Sequence, residues 1–268
     1  SSLTPAFIAL CLTIPSEKEI EPELKEEIDF AKIYALRHQL IKSLAHAHPA
    51  LWQKIWQKFS KEKQPYAPDA KQAGQRSLAA HALCFSSLVQ NDVSLVFQAY
   101  CDATNMSEKI SALAILTTFF YNTEATAKAL KDFENSYKHN ALIIDKWFTL
   151  QALAIEGDPL QRIQALTKHP LFTWTNPNRV RSLIGSFVAG NPIGFHEPSG
   201  AAYQYFFKIL LQIDKNNSQL SARLLTLLSN WKKLPLQQKT LIEQHLNAIK
   251  NTPHLSRDLS DICLRLLQ

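Results

Sequence analysis

Two arginines, Arg179 and Arg181, stand where an α-helix gains nothing from a positive charge. Asn176 is a good N-cap and Pro177 fits the first helical position, where its missing N–H is no loss, so a helix is predicted to begin there. The helix macrodipole disfavours cations in this first turn. A guanidinium is also the side chain best suited to pairing with a carboxylate. The two arginines therefore indicate a demand other than helix stability.

The helix that carries them is predicted to cover residues 177–189. Its core-facing stripe consists of Val180, Leu183, Ile184 and Phe187. We expect Gly190 to supply a left-handed stop and Pro192 to prevent the helix from resuming.

The nine histidines do not form a metal or catalytic motif. A zincin needs the sequence H-E-x-x-H, which places both imidazoles on one helical face, but no two histidines here are four apart. His196-Glu197 begins like that motif, and Pro198 would break the helix. His46 and His48 fall on opposite flanks of a helix end. P-loop, GxGxxG and G-x-S-x-G sequences are also missing. We expect neither a catalytic residue nor a metal ligand in this chain.

The segment Asp145-Lys146-Trp147-Phe148 places polar beside aromatic residues. Trp147, Phe148, Leu150 and Leu153 are interpreted as helix core. Asp145 then serves either as a charge near the helix N-terminus or as one partner of a buried ion pair. The structural interpretation is favoured over a polar site.

Composition and charge exclude several partners. Of the 268 residues, 46% are hydrophobic and 19% charged, an ordinary globular balance. The net charge of +6 is spread along the chain among 23 acidic residues, which is typical of a solvated surface and argues against nucleic-acid binding. No run approaches the roughly 18–20 apolar residues that a membrane helix needs, so no membrane partner is expected.

The cysteines and the first residues bear on the compartment. Four scattered cysteines without a CxxC pattern are expected to be reduced thiols in a cytoplasmic protein; they are Cys11, Cys84, Cys101 and Cys263. The first ten residues lack a basic segment, so no signal peptide is expected. The chain opens with Ser-Ser-Leu and has Met106 as its one methionine, which indicates processing, trimming or excision from a longer polypeptide.

Helix signals follow one another along nearly the whole chain. Only 6 glycines occur, and no stretch alternates in the manner of a strand. His48-Pro49 separates two early helices, and Ser60–Asp69 is the clearest loop. Later helices are predicted at 70–89, 92–102, 107–120, 123–138, 142–155, 158–169, 177–189, 199–213, 218–231, 236–250 and 255–267. We predict an all-α fold, an irregular α-solenoid of stacked antiparallel helix pairs of the HEAT or armadillo kind, forming a single domain over residues 1–268.

Several segments, in order and spacing, resemble the C-terminal helical domain of the bacterial aminopeptidase N family, which are monozinc alanyl aminopeptidases of the gluzincin class. The specific part is Asn176 to Gly185, Asn-Pro-Asn-Arg-Val-Arg-Ser-Leu-Ile-Gly. The resemblance also touches Pro15-Ser16-Glu17, Asn105-Met106-Ser107, Asp145-Lys146-Trp147-Phe148 with Leu150-Gln151-Ala152, and Phe172-Thr173. It extends to the closing helix and agrees with the predicted solenoid.

The resemblance implies a function that the residues alone do not. In the parent enzyme a neighbouring catalytic domain, not present in this chain, would hold zinc by two histidines and a glutamate. This domain would cap the active-site chamber and guide peptide substrates, and alone it should hydrolyse nothing. The implied partners are the catalytic domain of the same polypeptide and peptides, with a monomer expected. The alternative is a free-standing helical-repeat scaffold that binds protein segments in its groove.

The same resemblance places two arginines at the substrate. The family motif puts its second arginine at Arg181, and the pattern continued through Ser221-Ala222-Arg223-Leu224 puts another at Arg223. Each would bind the C-terminal carboxylate or carbonyls of a peptide. The alternative is local pairing with an Asp or Glu. Arg179 is expected to serve structure.

Overall fold

The computed structural model describes residues 3–25, 27–61 and 65–268, and of Lys61 only the backbone. In these residues the chain folds into helices and turns without a strand. The α-helices are α1 Pro5–Leu12, α2 Glu17–Ile20, α3 Phe30–Ala47, α4 Pro49–Lys61, α5 Ala70–Gln90, α6 Val93–Asp102, α7 Met106–Phe119, α8 Glu124–Tyr137, α9 Ala141–Leu153, α10 Pro159–Leu166, α11 Pro177–Val180, α12 Ser186–Gly190, α13 Pro192–Phe195, α14 Ala201–Asp214, α15 Ser218–Leu225, α16 Leu236–Lys250 and α17 Arg257–Leu267. A π-helical turn, Arg181–Gly185, joins α11 to α12, and short 3₁₀ turns cover Glu21–Glu23, Thr226–Leu228 and Trp231–Lys233.

The all-helical, solenoid-like prediction is confirmed, and most helices begin where capping chemistry predicts. The side chains of Asn176 and Asp158 accept backbone hydrogen bonds in front of Pro177 and Pro159. His48-Pro49 separates α3 from α4 as expected. Residues 65–69 of the predicted loop are non-helical, α4 extends to Lys61, and residues 62–64 lie outside the described residues.

The chain divides into two compact units. The first comprises residues 1–16 and 34–136, and α5 is its centre because α1, α4, α6 and α7 all pack against it. Trp52 and Phe85 lie in its core with their rings 4.9 Å apart, and the Trp52 indole N–H donates to the carbonyl of Ala45 at the end of α3. That bond satisfies a carbonyl that the helix end leaves open.

The second unit comprises residues 17–33 and 137–268. Here α9 packs on the π-helical turn and on α12, and α15 packs on α14 and α17. Its largest fully buried side chains include Tyr203, Phe148, Phe195, Phe206 and Leu183. The assignment of residues 1–268 to one domain stays a prediction.

Three local expectations are wrong. Gly190 does not adopt a left-handed conformation; it is the last residue of α12, and a Cβ there would overlap Cδ2 of Leu153. Pro192 does not stop the chain from turning helical but opens α13 at its first position, with Asn191 as the N-cap. The predicted helix 218–231 also ends early, at Leu225, and continues as a 3₁₀ turn.

Candidate functional site

Arg179 is a structural residue, as expected. Its side chain is buried, with 6% of its surface exposed, and its Nε lies 2.5 Å from Oδ1 of Asp145 on α9. The guanidinium also donates to the carbonyls of Leu171 and Ala141 and lies 5.0 Å from the centre of the Phe148 ring. Asp145 is therefore the buried pair partner, the second of its two predicted roles. The core interpretation is confirmed for Trp147 and Phe148, but it is wrong for Leu153, which is 37% exposed at the end of α9.

Arg181, two residues later, has the opposite environment. It is exposed, and its guanidinium donates to Oδ1 of Asn178 one turn earlier. A separation of two residues rotates the side chain by about 200° around a helix axis, so one arginine points into the core and the other away from it. No carboxylate within the described parts of the chain lies within ion-pair distance of Arg181. The alternative interpretation of Arg181, local pairing with an Asp or Glu, is therefore wrong for the described residues.

A π-helical turn begins at Arg181 itself. The Ser186 N–H donates to the carbonyl of Arg181, five residues back, and the Ser186 hydroxyl lies 3.5 Å from that same oxygen. The Thr149 hydroxyl of α9 donates to the carbonyl of Ser182 at 3.1 Å and accepts a hydrogen bond from the Ser186 hydroxyl at 3.4 Å. Such turns widen an α-helix by one residue and are frequent at functional sites. The sequence contains no signal for this turn, and its pattern predicts one continuous helix over residues 177–189.

Gly185 is the point at which the helix of Arg181 meets the helix of Arg223. A Cβ built on Gly185 would lie 3.7 Å from Cβ of Arg181 and 3.7 Å from Cδ2 of Leu224. Both distances are ordinary van der Waals contacts, so α15 and the π-helical turn are in contact here, with Arg181 on one element and Arg223 beside Leu224 on the other. Sequence reasoning gave Gly185 no role.

Arg223 is exposed and has no hydrogen-bond or ion-pair partner among the residues that the structure describes. Its neighbour Leu224 is buried, with 2% exposed, so the helix is anchored while the guanidinium stays in solvent. We call the surface formed by Arg181, Gly185 and Arg223 the arginine surface. Neither arginine forms an ion pair with a carboxylate of the described residues, and a guanidinium without such a partner attracts an anionic group.

The segment around His196 has a packing role. Nδ1 of His196 lies 2.7 Å from the Tyr203 hydroxyl, and the imidazole stacks on Phe30 with ring centres 5.0 Å apart. Burial lowers the pKa of His196 from 6.5 to about 3, so the ring is neutral across the physiological range, and burial also raises the pKa of Tyr203. The ring borders a cavity of about 220 Å³ whose charged residues are Lys18 and Glu21.

Three properties of the described residues bear on a metal site, a disulfide and a membrane span. No group of three or more His, Cys, Asp or Glu side chains there could hold a metal ion. All four cysteines are free thiols, and burial raises the pKa of Cys84 to about 12. No helix within the described ranges is long and apolar enough to cross a bilayer.

Comparison with known proteins bears out the resemblance. Aminopeptidase N of Haemophilus influenzae is 32% identical over 260 residues, which are 97% of this chain and 29% of that protein. The enzyme of Caulobacter vibrioides is 32% identical over 98% of this chain and 30% of its own length. Aminopeptidase N of Escherichia coli K12 is 29% identical over 96% of this chain and 29% of its own. The chain thus spans just under a third of these relatives.

A solved structure agrees with these sequence matches. It is described as a crystal structure of Legionella pneumophila aminopeptidase A in complex with aspartic acid. It superposes with a TM-score of 0.88 at 27% identity, over 100% of this chain and 32% of that one. A family profile described as "Domain of unknown function (DUF3458_C) ARM repeats" matches residues 1–268. Because that match covers every residue, the chain belongs to this family of ARM-repeat domains.

Proposed function

We propose that this chain is the C-terminal helical domain of a bacterial, cytoplasmic zinc aminopeptidase N, a hydrolase that removes the first residue of a peptide. Relatives named aminopeptidase N match almost the whole chain over just under a third of their own length, which supports a part of a larger enzyme. The zinc and the catalytic groups are assigned to the rest of the polypeptide, since the described residues of this chain contain no suitable ligand group. The domain acts as a monomer within that polypeptide and caps the chamber in which the peptide is held.

One observation carries the proposed role in substrate guidance, namely the arginine surface. Arg181 and Arg223 are exposed on two elements that meet at Gly185, and neither is neutralised by a carboxylate in the described parts of the chain. Arginines that only stabilise a fold are expected to resemble Arg179, buried with its carboxylate and carbonyl partners in place. A peptide approaching with its C-terminal carboxylate would supply the missing anion.

Kinetics of the full polypeptide test this role. Replacing Arg181 or Arg223 by Ala should raise KM for a dipeptide or tripeptide by about tenfold, because a charge-assisted hydrogen bond is worth about 1.5 kcal/mol or more. The same variants should leave an aminoacyl amide almost unaffected, because that substrate has no carboxylate. Arg257→Ala, at an exposed arginine already near Asp261, is the matched control. Equal losses on peptide and amide would show that the arginines do not contact substrate.

The competing scaffold function makes a different prediction. A free-standing repeat protein should bind protein segments without any peptidase partner, and its reading frame should contain no zinc-binding domain before this region. A sequence H-E-x-x-H encoded upstream of Ser1 would decide for the aminopeptidase. The lack of any such domain, together with tight binding of unrelated protein segments, would decide for the scaffold.

A further inference from the structure

The first compact unit contains a cavity of about 370 Å³. It opens between α4, α5, α6 and α7. Its volume falls within the range of small-molecule sites, which runs from about 300 to 1,000 Å³. It lies in the first unit, whereas Arg181 and Arg223 belong to the second.

The walls of this cavity favour an apolar, preferably aromatic, body. Trp56 and Phe59 are three residues apart on α4, so their rings border the cavity from one helical face, and Tyr66 adds a third ring. Leu83 of α5 and Leu95 of α6 complete the apolar lining together with several alanines. Small alanine side chains leave a slot, and the rings beside it offer flat surfaces for stacking.

The one cation among the described lining residues is already engaged. The Arg76 guanidinium lies 4.9 Å from the centre of the Tyr66 ring and donates to Oε1 of Gln72 at 3.1 Å and to the carbonyl of Ala67 at 3.4 Å. Gln72 in turn accepts from the Ala67 N–H and donates to the carbonyl of Pro65. Arg76 therefore holds residues 65–67 against α5.

Two carboxylates that line the cavity, those of Asp102 and Glu108, each accept hydrogen bonds through only one of their two oxygens. Oδ1 of Asp102 accepts a hydrogen bond from Gln98 at 2.9 Å, and Oε2 of Glu108 accepts from the N–H and the hydroxyl of Thr104. The second oxygen of each carboxylate has no partner among the described residues. Lys109, the cation next to Glu108 in the chain, is directed away: its Nζ lies 3.5 Å from Asp132 and 4.4 Å from the centre of the Tyr100 ring. An anionic edge thus adjoins an aromatic slot.

We propose that this cavity binds a small organic ammonium ion with an aromatic body. The body would stack on Trp56 and Phe59, and the ammonium would donate to the open oxygens of Asp102 and Glu108. An ammonium carries three donors, which matches two carboxylates. An aromatic carboxylate of the same shape would meet like charge and is excluded.

Three indole probes of similar size test the charge requirement by calorimetry on the 268-residue chain. Tryptamine carries an ammonium, tryptophol a neutral hydroxyl and indole-3-acetate a carboxylate. We expect tryptamine to bind about tenfold more tightly than tryptophol, since a charge-assisted hydrogen bond is roughly twice as strong as a neutral one. Indole-3-acetate should bind more weakly than either.

Variants locate the site. The pair Asp102→Asn and Glu108→Gln keeps the oxygens that accept from Gln98 and Thr104, so the fold is preserved, but it should remove the preference for tryptamine. Trp56→Ala should weaken all three probes. The matched control removes two exposed carboxylates elsewhere, Glu124→Gln with Asp261→Asn, and should change nothing.

Three results would overturn the proposal. They are equal affinity for the amine and the acid, a tryptamine preference that survives in the Asp102→Asn/Glu108→Gln variant, and no saturable binding of any probe at millimolar concentration. Loss of the preference in the Glu124→Gln/Asp261→Asn control would overturn it as well, because the effect would then be one of overall charge.

Discussion

Replacing Arg179 by Ala should destabilise the chain far more than replacing Arg181 by Ala. The two residues are the same type, two positions apart, at the start of the same helix. Arg179 is 6% exposed and bound to Asp145, whereas Arg181 is exposed and bound to Asn178 alone. The pair therefore isolates burial as the variable.

The expected magnitude follows from what Arg179→Ala leaves behind. The Asp145 side chain, 15% exposed, would lose its cation, and the carbonyls of Leu171 and Ala141 would lose their donor. Breaking a buried ion pair from one side costs about 3–5 kcal/mol. Since Asp145 retains some access to water, the lower end applies, about 3 kcal/mol. Arg181→Ala, at an exposed site, should change the free energy of unfolding by less than about 0.5 kcal/mol.

Urea unfolding followed by circular dichroism at 222 nm measures both variants. A loss of about 3 kcal/mol corresponds to a fall of about 6–12 °C in Tm for a chain of this size. Asp145→Asn should cost less than Arg179→Ala, because the amide oxygen can still accept a hydrogen bond. If the two arginine variants unfold at the same urea concentration, the distinction between a structural and a surface arginine is wrong.

Three further predictions concern packing and protonation. Gly74→Ala should lower the free energy of unfolding by about 1–3 kcal/mol, because the new Cβ would lie within 3 Å of backbone atoms of α1. Gly190→Ala should lower it less, because its Cβ meets only the end of a flexible leucine side chain, and urea unfolding compares the two variants. Burial holds the pKa of His196 at about 3, against 6.5 in the unfolded chain, so its contribution to stability should be complete above pH 7. That contribution should fall by at most about 1.4 kcal/mol per pH unit as the pH drops from 6.5 towards 3. In a pH series of thermal melts, His196→Asn should reduce this dependence of Tm on pH. At pH 8, the exposed Cys11 should react quickly with a thiol reagent. The half-buried Cys84, whose pKa is raised to about 12, should react much more slowly, and equal rates would contradict that raised pKa.

The helix boundaries that the sequence predicts well are those set by local chemistry. A capping side chain followed by proline defines a helix start within one turn, so Asn176-Pro177 and Asp158-Pro159 were interpretable without any tertiary information. The role of Gly190 is not predictable from the local sequence, because it depends on a contact with Leu153, which is close in space but distant in the chain. Glycine at a helix end has two explanations, a left-handed backbone or a close contact, and only the fold distinguishes them.

In the candidate site, too, some features are set by local sequence and others by contacts with distant parts of the chain. That Arg179 and Arg181 face opposite directions follows from helical geometry, but which of them faces the core depends on Asp145 and Phe148 of α9. The π-helical turn at Arg181 has no residue signature, since it forms where Ser186 bonds five residues back and α9 supports the turn from outside. The proposed role of Arg223 rests on family resemblance, because an exposed arginine on an amphipathic helix carries no pattern of its own.

Reconstitution from two separately expressed pieces tests most directly the proposal that this domain caps the active-site chamber. The upstream portion of the polypeptide, expressed separately, is mixed with this chain, and association is measured together with the ratio of kcat/KM for a tripeptide to that for an aminoacyl amide. The account predicts a one-to-one complex at tens of micromolar and a higher ratio in the complex than in the upstream portion alone. The chain carrying both Arg181→Ala and Arg223→Ala should form the same complex without raising the ratio. No complex between two folded pieces, or an equal rise with the double variant, would contradict the account.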